Sequence, residues 1–428
     1  MKVARKSPCC YERDGGLPVA LLLVLREREE IEIPNRLRTG AKPHLRVALI
    51  GTRGIPASYG GFETAVEEVG RRLAERGHDV VVYGREDEQL GDHFLGMRRV
   101  TLPAVRKKSL ETISHTALSS IHAVVRLRPE VAIVFNAANS PFLPIFRMAK
   151  IPVGLHMDGL EWKRSKWGKI GRSYYRAAES FGVRNADALI ADSSGISDYY
   201  RHQFGAHTEL IKYGAPQIHD APSSKIEDTG IKPGGYFLVV ARFEPENHVL
   251  EVIEGYTRTL SSKPLVVVGA APYSADYTKS IERLAETDDR VRLLGAVYDQ
   301  ELLDALYFHA FTYIHGHSVG GTNPSLLRAI GAGTPVIGYD VSFNRDVVGD
   351  NGWYFSSPED LAIAIESADG ANDIARRGSA LRQRAADEYT WNEVTDLYEQ
   401  MIRGLASGWS EHANLRRTRR NSKPWPSI

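Results

Sequence analysis

Residues 45–84 read LRVALIGTRGIPASYGGFETAVEEVGRRLAERGHDVVVYG. The first segment, LRVALIGTRG, is a short aliphatic and β-branched run that ends in glycine. A loop follows, then a segment of helical period from Ala65 to Arg76, then a second aliphatic run, GHDVVVYG. Strand, helix, strand within one such stretch is a βαβ unit, and it predicts parallel pairing with a helix on the sheet face. Outward from this unit the alternation continues. Strands are expected at VAIVFN (131–136), PVGLHMD (152–158) and ALIADSS (188–194). A second series begins at YFLVVARF (236–243) and runs through PLVVVG (264–269), VRLLG (291–295), FTYIHG (311–316) and TPVIGYD (334–340). Between the series, residues 217–235 are polar and rich in turn formers, which predicts a linker.

The expected architecture is therefore α/β, with two tandem doubly wound, Rossmann-like parallel-sheet domains and a cleft between them. Its parts are an extension over 1–44, a first domain over 45–216, the linker over 217–235 and a second domain over 236–385. An amphipathic helical region at 386–410 and a basic tail at 411–428 follow. In the helical region Trp391, Val394, Leu397, Tyr398 and Met401 share one face, which must pack against something. At 428 residues the chain suits two domains of ordinary size. Its formal net charge of +1 gives no field that would select nucleic acid. The two cysteines, Cys9 and Cys10, are adjacent, so no disulfide framework is expected and a reducing, cytoplasmic setting follows. The apolar run Leu17–Leu25 is too short to span a bilayer and is followed by REREE, with no small-residue cleavage site. The tail LRRTRRNSKPW is read as a solvated segment, with peripheral contact to an anionic membrane as the sharper alternative.

In open parallel sheets, ligands sit beyond the carboxyl ends of the strands, so the loops there carry the candidate chemistry. The loop 51–64, GTRGIPASYGGFET, has neither dinucleotide-fingerprint nor P-loop spacing. Its glycines, Gly60 and Gly61 among them, allow close approach of a ligand to the backbone, and Tyr59 lies beside them. The segment LHMDGLEWKR (155–164) sets His156 and Asp158 at a strand end, followed by Glu161, Trp162, Lys163 and Arg164, a density of polar and aromatic groups that suits sugar. Arg242, after the first strand of the second series, is placed to grip phosphate oxygens, with a surface ion pair as the plain alternative. In HGHSVGGTNPSLLRAIGAGTPVIGYD (315–340), Gly320, Gly321, Thr322 and Asn323 lead into Pro324, which suits a first helical position. That helix would aim its N-terminus into the cleft, where an anion such as a diphosphate is stabilised. His315 and His317 offer only two ligands, so no metal is expected.

Taken in order, TRGIPASYGGFET, DGLEWKR, ARFEPEN, HGHSVGGTNPSLL and FNRD resemble a bacterial family of retaining glycosyltransferases, some described as rhamnosyltransferases. That family sits in the nucleotide-sugar-dependent group that includes bacterial mannosyltransferases and sucrose synthase. The resemblance runs from about Leu45 to about Gly404. It implies a GT-B fold with the acceptor on the first domain, the nucleotide sugar on the second and a last helix crossing back to the first. It implies catalytic roles for His156, Asp158 and Arg242. Donor contacts are implied at Gly60, Gly61, Arg242, Asn247, Gly320, Gly321, Thr322, Asn323 and Arg328, with Tyr59, Glu161, Trp162 and Lys163 on the acceptor side. The implied reaction moves a hexose or deoxyhexose from a nucleotide diphosphate sugar to a glycan or lipid-linked acceptor, without metal or other cofactor, in cell-surface polysaccharide assembly. Two departures stand out. The wider group has a lysine where this chain has Asn247, and two glutamates where it has Gly320 and Arg328. An arginine only donates hydrogen bonds, so a ribose contact at 328 must be remade or lost. An epimerase of the same fold and a catalytically impaired sugar-nucleotide-binding protein are the rival readings.

Overall fold

The computed structural model describes residues 44–57, 61–85, 91–105, 111–157, 159–164, 167–227, 229–271 and 275–411. The readings made for the 1–43 extension, the tail from residue 412, Tyr59, Gly60 and Asp158 lie outside the described residues.

The first sheet contains β1 (Arg46–Ile50), β2 (Asp79–Arg85), β3 (His93–Phe94), β4 (Met97–Leu102), β5 (Val131–Phe135), β6 (Val153–His156), β7 (Ala188–Ala191) and β8 (Glu209–Leu210). Their order is β3-β4-β2-β1-β5-β6-β7-β8, parallel throughout except for the β3–β4 hairpin. Helices α1 (Gly61–Glu75), α2 (Glu111–His122), α3 (Leu143–Met148), α4 (Lys169–Asn185) and α5 (Ser194–Phe204) connect it. After a short helix α6 (Ser224–Glu227), the second sheet contains β9 (Phe237–Val240), β10 (Leu265–Val268), β11 (Val291–Gly295), β12 (Thr312–His315), β13 (Val336–Tyr339) and β14 (Trp353–Phe355). It is wholly parallel, in the order β11-β10-β9-β12-β13-β14. Helices α7 (Val249–Thr257), α8 (Ala275–Ala285), α9 (Gln300–Phe308), α10 (Pro324–Ala332), α11 (Ser342–Val348), α12 (Pro358–Asp369) and α13 (Ile374–Glu388) accompany it. The two parallel α/β sheets expected from the alternation are present. Every residue of β5 is buried, as a strand covered on both faces requires.

Strand order reverses between β1 and β5 in the first sheet and between β9 and β12 in the second. Those two switch points are where a doubly wound sheet opens a crevice. The loops that begin at Gly51, Ala241 and Gly316 all leave strands beside them.

Helix α1 begins at Gly61, four residues before the periodic segment read from the sequence. Its first turn carries no apolar stripe. It is held instead by α1 carboxylates turned back on the preceding loop, where Glu63 accepts from Arg53 N at 3.0 Å and Glu67 from Ala57 N at 2.6 Å. Its buried face is Ala65, Val66, Val69, Gly70 and Leu73. The last helix, α14 (Trp391–Ala406), lies on α1, β5 and β6 of the first sheet, far back in the chain. Thr390 caps it by accepting from Glu393 N at 3.2 Å, and Trp391, Val394, Tyr398, Met401 and Leu405 form its buried face. Arg76 of the first half pairs with Asp396 and Glu399 of α14, each at 2.7 Å. One buried apolar cluster accordingly runs from Val47 and Leu49 through Tyr213 and Met401 to Leu238 and Leu326. None of the described helices is long and apolar enough to cross a membrane.

Candidate functional site

His156 closes β6 with no exposed surface. Its ring stacks on Phe135 (centroids 5.4 Å apart) and Tyr213 (5.9 Å), and Phe62 meets it edge-on at 5.1 Å. Nδ1 lies 3.3 Å from the Met157 carbonyl oxygen, while Nε2 has no hydrogen-bond partner among the described residues. Burial pushes its pKa down to about 4, so the ring is a neutral donor or acceptor at ordinary pH. Phe62 stands in the first turn of α1, so the glycine loop and the β6 histidine are one structural unit.

On the facing side, β12 ends in His315, and a short loop leads to α10. His315 is buried, its Nδ1 lies 3.1 Å from the Tyr313 hydroxyl, and burial pushes its pKa to about 3. The His315 and His317 rings stack at 4.4 Å, and no third metal-ligand residue joins them among the described residues. The one His/Asp/Glu group there with converging ligand atoms is His207, Glu209 and Glu411, on edge strand β8 and the segment after α14. Helix α10 has a strong start: Asn323 accepts from Ser325 N at 3.0 Å, and Pro324 fills the first position. Its orphan amides face the cleft with partial positive charge.

The two halves meet at bare backbone. A Cβ on Gly159, in the loop after β6, would lie 2.5 Å from the Gly320 Cα. One on Gly321 would overlap the Asp192 carboxylate at the end of β7, and one on Gly61 would lie 3.0 Å from Pro324 Cγ. Thr322 Oγ1 donates to the Asp192 carbonyl at 2.6 Å. Ser194, at the start of α5, hydrogen-bonds Asp346 of α11. Gly61, Gly320, Gly321 and Thr322, read separately from the sequence, are thus brought to one seam, where a side chain at Gly61 or Gly321 would meet the other half and Thr322 bonds to it.

Arg242 stands on the loop after β9 with 41% of its side chain exposed, and its Nη2 lies 3.6 Å from Glu244 Oε2. Asn247 is buried and donates to the Arg242 carbonyl at 2.8 Å, so it holds the arginine's backbone from beneath. Glu161 pairs with Arg164 and accepts from Trp167 Nε1 at 3.3 Å. The Trp162 ring lies under Arg176, at 4.3 Å, and Lys163 is exposed beside it. Arg328 lies on α10 and donates to Asp304 of α9 at 2.6 Å. That ion pair is made within the second half of the chain.

Sequence reading did not single out Asp192, Tyr213 or Phe62 as site residues, and it named Arg164 only as part of the polar and aromatic run after His156. Asp192 follows directly on a strand run, the one signal that could have marked it. Phe62 and Tyr213 reach His156 from α1 and from the stretch after β8, which no local pattern reveals.

Residues 234–368 match the family described as "Glycosyl transferases group 1", and residues 44–216 match one described as "Domain of unknown function (DUF1972)". Among curated proteins, a glycogen synthase of Mycobacterium tuberculosis is 23% identical over 402 residues, covering 85% of this chain and 96% of its own. An O-antigen chain mannosyltransferase B of Escherichia coli is 26% identical over 168 residues, 38% of this chain and 44% of its own. Among solved structures, a sucrose-phosphate synthase of Thermosynechococcus elongatus superposes with a TM-score of 0.74 at 20% identity, over 85% of this chain and all (100%) of that one. The Anabaena protein HepE, solved in complex with UDP-glucose, gives 0.67 at 16% identity over 84% of this chain and 99% of its own. At such identities the structural likeness speaks for the fold, which is GT-B.

Proposed function

With residues 234–368 as a group 1 glycosyl transferase domain in a GT-B fold, we propose that the chain is a retaining glycosyltransferase. It moves a hexose or deoxyhexose from a nucleotide diphosphate sugar to a glycan or lipid-linked acceptor, in cell-surface polysaccharide assembly at the cytoplasmic side of the membrane. The observation that carries this reading is the seam at the two switch points. There Pro324, at the N-terminus of α10, abuts Gly61 beside the Phe62 of the His156 pocket, and Gly320 abuts Gly159 of the loop after His156. A GT-B protein solved with UDP-glucose and an O-antigen mannosyltransferase among the relatives support the donor class and the acceptor class respectively.

The chemistry follows from charge. As the C1–O bond to the diphosphate breaks, negative charge grows on the leaving oxygen, and fixed donors there lower the barrier. Arg242 and the amides at the head of α10 are those donors, so the proposed reaction calls on no metal. His156, neutral and with Nε2 uncommitted among the described residues, hydrogen-bonds the reacting sugar. Asp158, Tyr59 and Gly60 keep the roles that the sequence resemblance gives them, catalytic for Asp158, acceptor-side for Tyr59 and donor-side for Gly60. Glu161, Trp162 and Lys163 flank the acceptor side. The close approach of Gly159 to Gly320 supports a closed arrangement of the halves, in which exclusion of water would favour transfer over hydrolysis.

The Arg328–Asp304 pair favours a second reading, a sugar-nucleotide-binding protein of low turnover, because the pair places no acceptor group for a ribose hydroxyl at 328. Both readings are tested by incubating the protein and its Arg328→Glu variant with a panel of nucleotide sugars and a glycolipid extract. The transferase reading expects sugar on the acceptor with wild type. Turnover that appears only in the variant overturns it in favour of the second.

A further inference from the structure

We propose that Arg164, from the loop after β6, is a second ligand of the donor's diphosphate, reaching across the cleft to act beside Arg242. The inference rests on the reading of the cleft as a nucleotide-sugar site. Arg164 belongs to the first half of the chain, yet its Nη1 lies 3.5 Å from Glu244 Oε2 and 3.9 Å from Glu246 Oε1, both in the second half. Arg242 Nη2 lies 3.6 Å from the same Glu244 oxygen. Two guanidiniums from different halves therefore converge on one carboxylate atom, within the span of a single diphosphate.

Their common direction has independent support. His317, in the loop leading from β12 to α10, is held well below the usual histidine range by desolvation, then by His315, Arg242, Arg164 and His248. Both arginine charges are thus felt at His317, in the loop that leads to Gly320 and Gly321. Only 14% of the Arg164 side chain is exposed, and Glu161 of its own loop fixes it from the other side. A guanidinium presents five donors in a rigid fork that matches phosphate as well as carboxylate, so a diphosphate can take over bonds that a carboxylate holds.

The shared carboxylate gives the proposal a sign, because Glu244 is paired with Arg164 and with Arg242. An arriving diphosphate competes with Glu244 for both arginines. Removing the arginine must weaken diphosphate binding, whereas neutralising Glu244 must strengthen it. A salt bridge that only latches the halves together predicts weakening from both changes.

The test is calorimetric titration of the full chain with UDP, GDP, ADP and dTDP, then with the monophosphate of whichever base binds. Arg164→Ala is expected to weaken the diphosphate by roughly tenfold or more while changing the monophosphate by less than about twofold. Arg164→Lys should recover part of the loss, since it restores the charge without the fork. Glu244→Gln should tighten the diphosphate. An unchanged ratio of diphosphate to monophosphate affinity in Arg164→Ala overturns the assignment, as does weaker diphosphate binding in Glu244→Gln. Failure of all four diphosphates to bind the wild-type chain would instead overturn the donor-site reading itself, and this inference with it.

Discussion

At His156 burial decides the chemistry. A ring with no exposure and a pKa pushed to about 4 cannot serve as a cation near neutral pH, so its contribution is a directed hydrogen bond. His156→Ala is expected to lower single-turnover rate by about a hundredfold with donor affinity nearly unchanged. His156→Gln, which keeps a polar group there, should recover part of it. Equal loss of binding and rate would make the residue a structural one. The same neutrality predicts a kcat profile with no inflection from His156 between about pH 5.5 and about pH 8. Arg242 differs in kind, because it is partly exposed and carries full charge. Arg242→Ala should cost about 2–4 kcal/mol in nucleoside diphosphate affinity by titration, the range for truncating one side of a hydrogen-bonded charge pair. Equal affinities would remove it from the donor site. Both residues were legible in the sequence because each follows a strand in a parallel series. Arg328 was legible only as an oddity: the run PSLLR places it one turn into a helix, but its pairing with Asp304 of α9 is a tertiary fact that the run does not contain.

The strands and helices were the most readable level, since aliphatic runs and helical period need no knowledge of partners. Helix starts were less so. The head of α1 is fixed by Glu63 and Glu67 turned back on the glycine loop, and no apolar stripe announces it. The glycines of the site could be read as permissive, but what they permit could not. Gly159 sits against Gly320 from the other half of the chain, and only the fold shows that a methyl group on Gly159 has no room there. Gly159→Ala should therefore leave both sheets intact and lower kcat through incomplete closure. Circular dichroism beside a steady-state assay checks this, and unchanged kcat would mean that the seam is not the closed state. Strand ends carry a second consequence. His156 and His315 close β6 and β12, and His115 lies buried in α2. Burial holds their pKa values near 4, 3 and 4 respectively, below the ordinary 6.5. The unfolded chain binds these protons first, so stability is whole above pH 6.5 and falls as pH drops toward 4. At about pH 5 the loss is of order 2 kcal/mol per histidine. Urea midpoints at about pH 7.5 and about pH 5 measure it, and equal midpoints would contradict the buried, neutral histidines.

Across the whole molecule, two doubly wound units are tied by α14, which returns to the first sheet and buries Trp391, Tyr398 and Met401 there. The tie is electrostatic as well as apolar. Burial opposes the charge on Glu399, yet hydrogen bonds from Arg76, Arg403 and His78 hold its carboxyl down to about 2. It stays ionised throughout the acid window in which the histidines titrate, so the strap should outlast the first acid losses. The period of Trp391 through Met401 announced an apolar face, but which surface it covers depends on a chain reversal that local pattern does not encode. The proposed reaction is transfer of sugar from a nucleotide diphosphate donor held between the two halves. The most direct test follows nucleoside diphosphate release and sugar incorporation together, across a panel of nucleotide sugars with a glycolipid extract, for wild type and Arg242→Ala. One donor should be consumed, with diphosphate and glycosylated acceptor rising in equal amounts in wild type and not in the variant. Conversion of a donor without any acceptor, or no consumption of any donor, would contradict it.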